Sequence, residues 1–126
     1  MQTESMTRLL RKDADSPSGF EIVGFEWHIN GSLYQGDAPD KCFFDIYEDA
    51  NGEYIIHDAF EQGIKIDNGE WWFEGDIGLE SGRDFTLEIV DMYWRLVFDC
   101  SNAVGASIQR LRFCQRFGTI HDRNNK

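Results

Sequence analysis

At 126 residues the chain is long enough to bury a hydrophobic core without metals or disulfide staples, and short enough to argue for one domain. Its 41% apolar and 14% aromatic content excludes a disordered acidic polymer, and a net charge of −11 disfavours direct binding to nucleic acid. The charge is also segregated, with nineteen acids and four bases in residues 20–99 against one acid and five bases in residues 100–126.

Met1 to Asp13 carries charges throughout and no apolar run beyond Leu9-Leu10. That matches neither a signal-peptide core nor a membrane anchor, so the expectation is a cytoplasmic protein with no membrane partner. Ser5–Lys12 reads as a helical turn and Asp13–Gly19 as a linker. Residues 1–19 are thus expected to be a flexible or partly helical segment ahead of a single antiparallel β-rich domain over 20–120, with 121–126 a frayed tail.

Asn-Gly occurs at Asn30-Gly31, Asn51-Gly52 and Asn68-Gly69, each between apolar or aromatic runs. This dipeptide takes the positive φ angles of tight hairpin turns readily, so three hairpins are predicted. Alternate side chains on a strand point to opposite faces, which puts Val23, Phe25, Trp27 and Ile29 together on the first strand. Phe44 and Ile46 oppose Asp45 and Tyr47 on the next, while the adjacent pair Ile55-Ile56 leaves the inner face of the following strand open. Ile64–Ile66 then pairs with Trp71–Phe73.

Residues 84–99 form the longest β-like run, and its apolar phase switches partway. Phe85, Leu87 and Ile89 are odd; Val90, Met92, Trp94, Leu96 and Phe98 are even. One long strand with a bulge or bend near Ile89-Val90 would keep both sets inside. Ser101–Phe117 reads either as helix or as strand, and we take a short helix near 101–108 followed by a strand from about Gln109 to Ile120. The fold class is therefore mainly β, with α+β left open: an antiparallel sheet or half-barrel built from three Asn-Gly hairpins, a long bent strand and one short helix.

Asn68–Ile77 resembles the NGxxxxEGDI stretch of phage YopX-like proteins, and Phe117-Gly118-Thr119-Ile120 is similar to their C-terminal strand. The likeness covers about a tenth of the chain and implies no function.

Parity on 70–77 sends Trp71, Phe73 and Ile77 inward and places Glu70, Trp72, Glu74 and Asp76 on the outer face. A tryptophan ringed by carboxylates is how a binding anchor with an acidic surround would look. Asp45, Tyr47, Glu48 and Asp49 extend the acidic candidate surface. Outward carboxylates on a strand repeat every ~6.6 Å, close to the spacing of phosphates, so the sheet would suit the basic groove of a nuclease or another nucleic-acid-binding protein. Arg110, Arg112 and Arg116 are expected to pair with acidic neighbours.

Catalytic motifs are lacking: His57-Asp58 and His121-Asp122 are sequence neighbours that would point apart on a strand, and no nucleophile elbow, HExxH or phosphate loop occurs. No cofactor is implied. Glu48, Asp49, Asn51 and Glu53 offer oxygen ligands without the spacing of a calcium loop, so no metal site is assigned. Cys42, Cys100 and Cys114, odd in number and far apart, read as reduced thiols. The expectation is a non-catalytic acidic protein, bacterial or phage-borne, that occludes a basic protein partner as a toxin immunity protein or phage inhibitor would. The alternative is a small-ligand-binding β-barrel, a simple binder or an enzyme, with Asp91 in a cavity lined by Trp27, Tyr93 and Trp94.

Overall fold

The computed structural model describes residues 4–45, 54–99, 102–105 and 108–122. The protein is mainly β, in two antiparallel sheets. Six strands, β1 (Glu4–Lys12), β2 (Phe20–Ile29), β3 (Ser32–Gly36), β4 (Cys42–Asp45), β5 (Ala59–Lys65) and β6 (Trp71–Phe73), make a sheet of order β4-β3-β2-β1-β5-β6. The other sheet, of order β10-β9-β8-β7-β11, contains β7 (Asp76–Glu80), β8 (Arg83–Val90), β9 (Tyr93–Asp99), β10 (Asn102–Gly105) and β11 (Gln115–Thr119). One helical turn, α1 (Ile108–Leu111), precedes β11.

The N-terminal segment is a correction. Residues 4–12 are not helical but form a strand with which β2 and β5 both pair. Met6, Leu9 and Leu10 are buried with Arg8, and strand pairing on both sides outweighs the weak helical propensity of the run. Asp13–Gly19, read as a linker, is the compact β1–β2 turn, in which the Asp13 N–H donates to the Gly19 carbonyl. His121 is buried as well, so that end of the expected frayed tail is packed.

Asn30 and Gly31, both at positive φ, join β2 to β3 in a two-residue turn. Asn51-Gly52 lies outside the described residues. Asn68-Gly69 sits in the loop between β5 and β6, where only the glycine has positive φ and the Ile66 N–H bonds the Glu70 carbonyl.

The long bent strand is in fact a hairpin. β8 and β9 meet at Asp91-Met92, both at positive φ, and the register pairs Leu87 with Leu96 and Ile89 with Trp94. A two-residue turn always pairs an odd-numbered residue with an even-numbered one, so the phase switch recorded the turn. Asp91 is exposed at its tip and lies in no cavity wall described below. Residues 102–105, expected to be helical, form β10, and the helical turn begins only at Ile108.

Met92, 92% exposed, holds φ +72, a region that costs a side chain bearing a Cβ about 1 kcal/mol or more. Met92→Gly would complete the Asp-Gly pair this turn type favours and is expected to stabilise the fold by about 0.5–1 kcal/mol. A urea midpoint at or below that of the parent would refute it.

Two apolar clusters lie on opposite faces of the β5–β6 end of the first sheet. On one face Trp72 and Ile66 pack with Phe85, Leu87, Leu96 and Leu111, which attaches the second sheet. On the other, Phe73 joins Met6 and Cys42, flanked by Phe25, Trp27, Tyr34 and Trp71. Strands at both edges of the sheet thus contribute to one cluster, so the sheet curls, without closing into a barrel.

An aromatic trough and its buried ion network

The concave face of the curled sheet carries a cavity of about 490 Å³ between its two edge strands. Met6 from β1, Trp27 from β2, Pro39, Cys42 and Phe43 from the β4 side, and Trp71 from β6 wall it. Glu4, Asp40 and Glu70 add carboxylates, while Lys65 and Arg116 add cations. A second cavity of about 430 Å³ continues along the concave side past Phe25, Phe73 and Phe117, and shares Pro39 and Arg116 with the first. Together they form an apolar trough with a charged rim.

Register explains this lining. Met6 pairs with Trp27, and Lys65 with Trp71, and each pair projects its two side chains from one face of the sheet. Trp27 donates its indole N–H to Glu4 at 2.8 Å, and the Lys65 ammonium bonds the same carboxylate at 3.0 Å. Cys42, on the wall, is a poor nucleophile: burial first, then the charges of Asp40 and Glu26, push its thiol up to about 11.

Beneath the second cavity lies a chain of buried charges. Arg8, 3% exposed, donates from Nε to Glu61 at 2.7 Å, from Nη1 to Asp76 at 2.5 Å and from Nη2 to the Glu74 carbonyl at 3.0 Å. Its guanidinium also lies over the Phe73 ring at 5.2 Å. Asp76 accepts the Phe73 N–H at 2.7 Å and has Arg116 3.6 Å away. Burial nevertheless pushes the Asp76 carboxyl above its usual range, against the pull of Arg8. Desolvation likewise raises Glu74.

The network continues to the C-terminal segment. Glu61 bonds His121 Nε2 at 3.0 Å, and His121 Nδ1 meets the Ser18 hydroxyl at 2.5 Å. A serine, a histidine and a carboxylate in series are the parts of a nucleophilic relay. Ser18 also bonds Ser16 and the Phe20 carbonyl, and neither Ser18 nor His121 lines either cavity, so the relay staples the C-terminal segment to the β1–β2 turn. Gly75, at φ +92, makes room for it, since a Cβ there would stand 2.5 Å from a Glu61 oxygen. Its N–H bonds the Leu87 carbonyl and its carbonyl accepts the Ile120 N–H.

The residues expected to bind a partner are therefore divided. Glu70 is exposed and lines the trough. Trp72 is 0% exposed and faces the second sheet, so it is no surface anchor. Parity failed because β6 is covered on both faces, Trp72 by β8 and β9 and Phe73 by β1. Asp76, 1% exposed, is spent on Arg8 and the Phe73 N–H rather than presented to solvent, and Glu74 is half-buried. Asp45 is half-buried in β4, opposite Tyr34. Tyr47, Glu48 and Asp49 lie outside the described residues.

The three tail arginines are engaged with acids: Arg110 with Glu80, Arg112 with Asp67 and Arg116 with Asp76. The Arg110 bonds hold the Glu80 carboxyl below its usual range. Sequence reasoning missed Glu4, Asp40, Trp27 and Trp71 as one site, since the β4 side and β6, the two edges of the sheet, meet only through the curl. The available signals were that Trp71 read as inward-facing and that Trp27 shared a strand face with Val23, Phe25 and Ile29. Among the described residues no helix is long and apolar enough to cross a membrane, and no three His, Cys, Asp or Glu side chains converge as metal ligands. No protein-family model, curated protein or solved structure matches this chain.

Proposed function

We propose that this chain is a non-catalytic acidic binding protein of the cytoplasm that neutralises a basic protein partner by occlusion, as a toxin immunity protein or phage-encoded inhibitor does. The observation that carries this reading is the trough: two tryptophans and three carboxylates line one open cavity in a chain of net charge −11. Carboxylates accelerate encounter with a basic surface, and desolvated aromatics slow its departure. Trp27 and Trp71 take the anchoring part that the sequence assigned to Trp72.

The test is binding of a lysine- and arginine-rich peptide, followed by tryptophan fluorescence, to the protein and to an Asp40→Lys, Glu70→Lys double variant. Affinity is expected to fall at least tenfold on charge reversal and again between ~0.05 and ~0.5 M salt. Binding that ignores both salt and charge reversal, or that is matched by an acidic peptide of equal length, rules the reading out. A small organic cation is the second reading, favoured by the cavity volume, which falls within the range of about 300–1,000 Å³ typical of small-molecule sites.

A further inference from the structure

Lys65 already holds a cation inside the trough. Its ammonium bonds Glu4 Oε1 at 3.0 Å and lies 5.8 Å from the Trp71 ring centroid. The other Glu4 oxygen accepts the Trp27 indole N–H, so one carboxylate ties both tryptophans to an intramolecular cation. Aromatic faces beside a carboxylate are the general chemistry by which cationic side chains are recognised. The Lys65 side chain keeps 42% of its surface exposed, and an ion pair that open to water contributes little, so another cation can replace it at small cost.

We propose that Lys65 is a placeholder for an arginine of the basic partner, which displaces the ammonium from Glu4 and Trp71 on docking. This rests on the trough being the partner site. With one Glu4 oxygen committed to Trp27, the acceptors facing an incoming side chain are Glu4 Oε1 and the rim carboxylates Asp40 and Glu70. A planar guanidinium stacks on an indole while its forked N–H groups reach more than one of these; an ammonium is a single point charge. Arg116, the other cation of the cavity, is tied to Asp76 and the Trp71 carbonyl, so Lys65 is the one that gives way.

A short oligo-arginine peptide and its oligo-lysine counterpart, titrated at low salt with tryptophan fluorescence as the signal, provide the test. The parent protein is expected to prefer oligo-arginine. Lys65→Met should tighten that binding about three- to tenfold, whereas Lys12→Met, the same loss of charge at the far end of β1, should change it less than about twofold. Glu4→Gln should weaken it about tenfold, with circular dichroism confirming the fold and Glu70→Gln as a second, exposed carboxylate variant. A Lys65→Met protein that binds no tighter than Lys12→Met overturns the displacement while leaving the trough as the site. Equal affinity for the two peptides overturns the choice of arginine. Failure of both the parent and Lys65→Met to bind either peptide overturns the trough reading itself.

Discussion

Arg8→Met is expected to destabilise the fold by about 3–5 kcal/mol, measured as a fall in the urea midpoint at neutral pH. The guanidinium sits between Glu61 and Asp76, both buried, and bonds the Glu74 carbonyl as well. A buried ion pair contributes little relative to apolar packing, but stripping one partner leaves the other charge desolvated and uncompensated. The pH dependence gives the effect its signature. A carboxyl whose folded pKa is raised, as burial raises Asp76, adds stability that is fully present below its unfolded pKa and is lost as pH climbs through the folded one. Removing Arg8 raises Asp76 further, so the deficit of the variant should shrink as pH falls toward the carboxylate range. A deficit that is flat from neutral pH to ~4 would mean that packing, not charge, accounts for it.

Trp72→Ala is expected to cost about 3–5 kcal/mol, comparable to the loss of Arg8 but through a different physical cause. The indole is stacked on Phe85 with centroids 6.0 Å apart and touches the cluster that attaches the second sheet, so alanine would leave a cavity between the sheets. Among the described residues its N–H is the buried side-chain polar atom with no hydrogen-bond partner. Trp72→Phe removes that unmatched donor while keeping most of the apolar bulk, and should cost under half as much as alanine. Calorimetric or urea unfolding separates the two. If Trp72→Ala unfolds with an unchanged midpoint yet loses binding to basic peptides, the tryptophan is a surface anchor after all and the packing described above is wrong.

Much of the fold was legible where a local rule suffices. The positive-φ pair at Asn30-Gly31, the inward parity of Phe25 and Trp27 and the pairing of the tail arginines with acids all follow from residues near one another in sequence or from charge alone. The phase switch at 89–90 was visible too, but Met92 in a turn position that favours glycine disguised a hairpin as a bend. What stayed hidden depends on distant partners. β1 is a strand because β2 and β5 flank it, and β5 lies some fifty residues on. Trp72 could not be oriented by parity, since that rule assigns a single buried face and in β6 Trp72 and Phe73, on opposite faces, are both buried. His121 sits beside Asp122 in sequence, yet its ring bonds Ser18 and Glu61.

The way the two sheets are wired has a kinetic consequence. In the second sheet β7, β8, β9 and β10 follow one another in both chain order and space, so most of it assembles by short-range closure. The first is split by the β1–β5 seam, which joins Thr7–Leu10 to Ala59–Gln62 and must wait for a long loop to close. By loop-closure entropy that seam is expected to form last and to part first under denaturant. The Arg8–Glu61 contact lies on it, so the loss of Arg8 should show chiefly as faster unfolding rather than slower folding.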